Sequence, residues 1–430
     1  MVRTRFAPSP TGFLHIGSLR TALYAYVMAK HAKGQFILRI EDTDVKREVE
    51  GSIESLKSTL EKFGLNWDEF YLQSGRLAIY QKTAKKLVTD GHAFYCQCPP
   101  RNAKTDGFSQ ILRDPCRDKN LNSGAVKLKV PDGENVSYFD FVHKKEISWD
   151  TTGVYDATLL KTDGYPTYHL AAMVDDLDMN ITHILRGHDW MPSTPIHLLV
   201  FKYLRGTKPE IGHLSDILNA KTGKKLSKRR DSVFVEDFVK DGYLPEALLN
   251  FVMLLGWAPK DNRELYTLSE FVQEFDINGF QESNPRFEDN KLKWFNGHYL
   301  RQKSDDELIK LIDFPDKAKL RQILPLIKDR LITLSDFSSL TNFFFTAPEI
   351  PKDLIYSKDH LQFAIDNLDK LLKGELIEDI KAKGWKVGDF FMSIRISICG
   401  SKSTPPIIET MLVLGRDESI KRLIAGQAKS

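Results

Sequence analysis

With 430 residues, 42% hydrophobic and 28% charged, the chain is too long for one ordinary domain and apolar enough to bury sizeable cores, so two to four domains are expected. Its formal net charge is only +3, so an anionic partner has to be held by local patches rather than by a global field. No apolar run reaches the length of about 18 residues that a membrane-spanning helix needs, and Met1 to Arg5 lead straight into a strand without an apolar signal core, so a soluble cytoplasmic protein is expected.

A strand is predicted over Arg3 to Ala7, followed by a turn that ends at Ser18. Pro8 and Pro10 remove two backbone donors and stiffen this turn, while Gly12 and Gly17 let the main chain come close to a ligand. The next helix, Leu19 to Lys33, carries Leu19, Ala22, Leu23, Tyr26 and Val27 on one face, so its N-terminal amides point back at the turn. The result is a phosphate-binding geometry with His15 placed to donate. The same residues also fit an ordinary βα connection with a surface histidine. A second strand over Phe36 to Glu41 and a helix over Gly51 to Phe63, with Ile53, Leu56 and Leu60 inward, complete a βαβ pattern and predict parallel strands.

Residues from about 96 to 150 hold short strand-like runs, Ala125 to Val130 and Val136 to Phe139, and read as an inserted α+β module. The sheet is expected to resume at Thr158 to Leu160 and Ile181 to Arg186, with a helix starting near Thr194 and Pro195. Residues 221 to 230 carry six basic residues and no acid, which suits either a solvated face or a mobile cationic loop that closes on polyphosphate. From about 306 only helices are predicted, with Leu361, Ala364, Ile365, Leu368, Leu371 and Leu372 at the 3.6-residue period and one competing strand signal at 394 to 399.

Three charged residues fall at predicted strand ends, where an open parallel sheet binds ligands: Arg5, Glu41 and Arg186. Two guanidiniums and one carboxylate complement a dicarboxylic amino acid, and they equally fit three structural ion pairs. Of the four cysteines, Cys399 reads as an apolar filler on a strand or helix face, while Cys96, Cys98 and Cys116 cluster.

Phe6-Ala7-Pro8-Ser9-Pro10-Thr11-Gly12, Arg39-Ile40-Glu41-Asp42-Thr43-Asp44, Asp163-Gly164-Tyr165-Pro166-Thr167-Tyr168-His169 and Lys225-Leu226-Ser227-Lys228-Arg229 resemble the motifs of bacterial-type glutamyl-tRNA synthetases, with the HIGH and KMSKS signatures of class I. The resemblance runs from Arg3 to the stretch from Thr404 to Arg416. Ser18 stands at the fourth HIGH position and KMSKS is written KLSKR. The resemblance implies an α/β fold: a Rossmann-like parallel-sheet catalytic domain with an inserted α+β module, then an all-α anticodon-binding region. The implied boundaries are 1–95 and 156–220 for the two Rossmann halves, 96–155 for an acceptor-binding insert, 221–305 for the KMSKS loop and stem-contact helices, and 306–430 for the anticodon region.

The activity implied is ATP-dependent activation of L-glutamate and its transfer to tRNA(Glu), with tRNA(Gln) also charged in non-discriminating relatives. His15, Gly17, Ser18, Lys225 and Lys228 would be catalytic. Pro10, Gly12, His15, Gly17, Ser227 and Lys228 would bind ATP, which brings Mg2+. Arg5, Ala7, Ser9, Glu41, Tyr168 and Arg186 would bind glutamate, Arg186 selecting its side-chain carboxylate. Ala172 stands where many relatives carry a polar residue near the substrate, which predicts one lost or water-mediated contact. Some members hold zinc in the insert, which here would use Cys96, Cys98, Cys116 and Asp118, against reduced thiols left from a lost site. Arg321, Arg330 and Arg395 are candidates for reading anticodon bases, and equally for solvated or core-edge roles. The expected working unit is a monomer. A shortened paralogue would lack the helical region after 306, and a non-catalytic tRNA-binding protein would not need His15, Gly17, Lys225 and Lys228 together.

Overall fold

The computed structural model describes residues 1–44, 47–99, 112–227, 231, 233–351, 354 and 356–429. They form two compact units, Met1–Phe238 with Leu248–Asp289, and Val239–Ala247 with Asn290–Ser430.

The strands of the first unit that matter here are β1 (Arg3–Phe6), β2 (Gln35–Ile40), β3 (Glu69–Leu72), β4 (Ala93–Cys96), β5 (Ala125–Leu128), β6 (Asn135–Asp140), β7 (Lys145–Asp150), β8 (Thr158–Leu160), β9 (His183–Gly187) and β10 (Glu210–Leu214). Among the described residues, seven of them form one sheet in the order β3-β2-β1-β9-β10-β6-β7. Every neighbouring pair is parallel except β6 with β7. Helices on the sheet require central strands to be apolar on both sides, and Phe36, Ile37, Leu38 and Ile40 of β2 are all buried. The helix after β1 spans Ile16–His31, three residues earlier than its apolar pattern suggests, because His15 caps it. Strand order reverses between β1 and β9, which makes the carboxyl ends of β2, β1 and β9 the natural ligand crevice.

Strand membership differs from the sequence expectation at two places. Thr158–Leu160 does not continue the main sheet; β8 pairs with β5, and β4, β5 and β8 form a separate antiparallel sheet. Conversely, β6 and β7, read as part of an inserted module, belong to the main sheet, where β6 lies beside β10. Val136 and Tyr138 of β6 share one apolar cluster with Leu159, Ile184 and Ile211. Alternation of buried and exposed residues reveals a half-buried strand but not the sheet that it joins.

Every regular element of the second unit among the described residues is a helix. A capping box of Ser304 and Glu307 starts the helix Asp305–Leu311, the second helix after the chain re-enters this unit at Asn290. Leu361, Ala364, Leu368 and Leu371 enter its core, while Ile365 and Leu372 are half-buried. The Ile-Ser-Ile alternation at 394–399 is helical, not extended: Val387–Cys399 is one helix, ended by Gly400 at φ 66°. Buried Arg422 donates to the carbonyl of Ile398 at 3.0 Å, close to that helix's C-terminus, where cations are favoured. No helix among the described residues is long and apolar enough to cross a membrane.

Candidate active site

The turn after β1 is tied down by its own backbone. Thr11 N–H donates to the Ser9 carbonyl at 2.8 Å, and Glu41 N–H donates to the Pro8 carbonyl at 2.9 Å, which docks the end of β2 against the turn. Gly12 sits at φ 143°, a conformation that side-chain-bearing residues rarely adopt. His15 caps the following helix, its Nδ1 accepting from Ser18 N–H at 3.2 Å while Nε2 lies 2.9 Å from Ser18 Oγ. A neutral ring that accepts at Nδ1 carries its proton on Nε2 and donates it to Ser18 Oγ, which leaves the Ser18 hydroxyl hydrogen to donate outward. Gly17 permits this fold-back, since a Cβ there would lie 3.1 Å from the His15 ring.

Gly12, His15 and Ser18 line a pocket of about 250 Å³ together with Arg5, Ala7, Ser9, Glu41, Tyr168, Arg186 and Trp190. All six residues expected around an amino acid therefore converge on one cavity. Of the expected nucleotide contacts, Gly12 and His15 line it, as does Ser18 of the expected catalytic set. Pro10 and Gly17 act through backbone shape: the Pro10 carbonyl accepts from Val49 N–H and the Ser52 hydroxyl, and Gly17 makes room for the ring. Ala172 is fully buried in the apolar core and does not line the pocket.

The pocket charges are compensated unequally. Arg5 Nε donates to Asp176 at 3.1 Å, and Arg39 donates to Asp176 at 2.7 Å and to Glu41 at 3.3 Å. Arg76 pairs with Asp175 at 2.8 Å. Arg186, only 5% exposed, makes no ion pair among the described residues; its bonds go to His213, His197 and Thr194. Burial pushes the Glu41 carboxyl up to about 7, against the pull of Arg39 and Arg5. An incompletely compensated buried cation opposite a carboxylate that resists ionisation suits a ligand carrying both an anion and a cation.

Lys225 Nζ rests between Asp189 at 2.7 Å and Asp216 at 2.9 Å. Gly223, at φ 66°, shapes the turn before it, and Ser227 N–H donates to Asp231 at 2.9 Å. Lys228 lies outside the described residues.

Cys96, Cys98 and Cys116 come together, with ligand atoms within 4.8 Å of one another, but the carboxylate that joins them is Asp114. Asp118, the expected fourth donor, faces outward at 81% side-chain exposure and pairs with Lys129. The turn through Asp114 decides this: its Oδ1 accepts from Cys116 N–H at 2.8 Å, and its Oδ2 takes the Cys96 thiol at 3.3 Å and Lys127 at 2.5 Å. Three sulfurs and one carboxylate oxygen at this spacing fit a four-coordinate zinc.

Sequence reasoning missed Arg39, Asp175, Asp176, Asp140, His197 and His213. The one available signal was the Asp175-Asp176 pair within an otherwise apolar helix segment, since paired carboxylates on a buried face demand buried cations. Arg321 is exposed and pairs with Asp306, Arg330 is exposed, and Arg395 is half-buried and donates to the Thr404 carbonyl.

A family model described as class I tRNA synthetases (E and Q), catalytic domain, matches residues 1–294, and one described as an anticodon binding domain matches residues 292–426. A glutamate–tRNA ligase of Alkaliphilus metalliredigens is 35% identical over 485 residues, covering 98% of both chains. One of Finegoldia magna is 36% identical over 483 residues, again with 98% of both covered. The crystal structure of a glutamate tRNA ligase from Elizabethkingia meningosepticum in complex with its amino acid matches with a TM-score of 0.88 at 31% identity, over 99% of each chain.

Proposed function

The chain belongs to the glutamate–tRNA ligase family of class I aminoacyl-tRNA synthetases, and from that premise we propose that it activates L-glutamate with ATP and transfers it to the 3′ end of tRNA(Glu). The observation that carries the substrate assignment is Arg186, a buried guanidinium that faces the pocket without a carboxylate partner among the described residues. The side-chain carboxylate of glutamate supplies that partner. Glutamine would leave the charge unmatched, a penalty of about 2 kcal/mol or more. Glu41 then takes the α-ammonium, and Arg5 and Tyr168 close the remaining sides.

In the first step an oxygen of the glutamate α-carboxylate bonds to the α-phosphorus of ATP as the bond to the pyrophosphate oxygen breaks. In the second the terminal ribose hydroxyl of tRNA attacks the activated carbonyl and AMP leaves. Neither step needs a protein nucleophile, so the protein's part is placement and charge stabilisation. His15, Ser18 and the amides that open the helix Ile16–His31 face the phosphates. Lys225 and Lys228 meet the charge that develops on the leaving pyrophosphate, and Mg2+ enters with ATP. Lys225 must first exchange Asp189 and Asp216 for phosphate oxygens.

The helical unit supports a tRNA-binding role for residues 290–430, with Arg321, Arg330 and Arg395 as base-reading candidates. Zinc, held by Cys96, Cys98, Cys116 and Asp114, would tie the end of β4 to the turn at Asp114 to Cys116. The working form we propose is a cytoplasmic monomer. The test is ATP–pyrophosphate exchange with glutamate, glutamine and aspartate, with and without tRNA, followed by charging of purified tRNA(Glu) and tRNA(Gln). Exchange with glutamate alone supports the assignment, and exchange with glutamine at the same efficiency refutes it. Charging of tRNA(Gln) identifies the non-discriminating form.

A further inference from the structure

Arg5, Arg39 and Arg76 each bond to a carboxylate, whereas Arg186 is held by neutral groups: Nε donates to His213 Nε2 at 3.0 Å, Nη1 to His197 Nδ1 at 2.9 Å and Nη2 to Thr194 Oγ1 at 2.9 Å. A guanidinium has five N–H donors and no acceptor, so both imidazole nitrogens that face it must offer lone pairs. That fixes the protons further out. His213 carries its proton on Nδ1, 2.7 Å from Asp140 Oδ2, and His197 carries its proton on Nε2, 3.0 Å from His169 Nδ1. Asp140 is in turn held by the amides of Val142 and His143 and by the Tyr138 hydroxyl. Burial is the main reason that His213 and His169 are brought down to about 4 and His197 well below its ordinary value, so all three rings are neutral.

We propose that His197 and His213 are positioning residues for Arg186, neutral acceptors that fix the direction of its guanidinium while leaving its charge for the side-chain carboxylate of the substrate. The proposal rests on the reading that Arg186 binds that carboxylate. The three bonds consume three of the five N–H groups and leave one on each terminal nitrogen, the pair that a carboxylate can take in bidentate fashion. A carboxylate in place of either ring would hold Arg186 as firmly but would neutralise it and compete with the substrate. Asp140 stands one ring away, where it polarises His213 without touching Arg186. The sheet builds this line: Asp140, His213 and Arg186 lie on the neighbouring strands β6, β10 and β9, with His213 and Arg186 directly in register.

The experiment is pyrophosphate exchange in the presence of tRNA on the full chain, with KM for glutamate, KM for ATP and kcat measured for three variants of one position. His197→Asn keeps a neutral acceptor near Nδ1 and should hold KM for glutamate within about threefold of wild type, whereas His197→Leu should raise it about tenfold or more with KM for ATP within about twofold. His197→Asp, an acceptor that brings a charge, should be at least as impaired as His197→Leu. Equal behaviour of the Asn and Asp variants overturns the proposal. Arg186→Gln runs in parallel: if it leaves the glutamate preference intact, the reading of Arg186 fails. If it abolishes the preference while all three His197 variants match wild type, only the positioning proposal fails. Nitrogen-15 NMR of labelled histidine in the wild-type protein requires no variant to fold and should show the ring proton of His213 on Nδ1 and that of His197 on Nε2. The opposite tautomer at either ring overturns the proposal.

Discussion

Glu41 has to be ionised to accept from the substrate ammonium, yet the fold resists that ionisation. The residue is 8% exposed, and burial lifts its carboxyl to about 7 despite Arg39 and Arg5. The arginines compensate it weakly because Asp176 takes their shorter bonds, at 2.7 Å from Arg39 and 3.1 Å from Arg5, against 3.3 Å from Arg39 to Glu41. With a pKa of about 7, roughly one tenth of the molecules carry the anion at pH 6 and nine tenths at pH 8, so KM for glutamate should fall about tenfold across that interval. Exchange kinetics at saturating ATP and tRNA from pH 6 to pH 8 measure this, and Glu41→Gln should show a high KM without the slope. The same shift has a stability consequence of opposite sense. A carboxyl whose folded pKa is raised above its ordinary 4.5 contributes stability fully below that value and loses it as pH rises through about 7. Ionised Glu41 therefore costs the ligand-free fold about 3 kcal/mol at pH 8, and Glu41→Gln should raise Tm there but not near pH 4.5. A wild-type KM for glutamate that is flat from pH 6 to pH 8 would refute the burial argument.

Lys228→Ala should slow adenylate formation by about 2 kcal/mol or more, read by pyrophosphate exchange, with tRNA affinity nearly intact; exchange at the wild-type rate removes Lys228 from catalysis. Asp189→Asn loosens one arm of the resting clamp on Lys225, and because exposed pairs are worth at most about 1 kcal/mol, KM for ATP should fall by about fivefold or less. A rise would mean that Asp189 aligns the lysine rather than competing for it. Metal analysis of protein purified without chelator should give about one zinc per chain, lost on Cys98→Ser, weakened on Asp114→Ala and unchanged on Asp118→Ala.

How far the sequence could be read depended on the range of the signal. The turn from Pro8 to Gly17 was legible because its prolines and glycines restrict or free the backbone where they stand. Arg5, Glu41 and Arg186 were legible because position at a strand end is a local property that a topological rule converts into a site. Asp140 and His213 were not, since their value depends on β6 lying beside β10, and alternation along a strand carries no record of its neighbour. The choice between Asp114 and Asp118 failed for a related reason. Each stands two residues from Cys116, and only the turn that hydrogen-bonds Asp114 to the Cys116 amide turns one inward and leaves the other in solvent.

Strand order also explains why Glu41 and Arg186 do not cancel each other. β1 lies between β2 and β9, so the strands that carry the carboxylate and the guanidinium are separated by two spacings, about 10 Å. Opposite charges within reach of each other close into a direct ion pair, as Arg5 and Arg39 do with Asp176 of the helix Tyr168–Asp178. Held apart, each needs a bridging group, and two hydrogen bonds of about 3 Å leave a gap of a few ångströms for the ligand's own atoms. An amino acid with its ammonium at one end and a second carboxylate at the other fills it, and shortening the side chain by one methylene opens one of the two contacts. The desolvation cost of an unpaired Arg186 and a reluctant Glu41 is thus carried by the empty fold and relieved only by a ligand of matching charge and length.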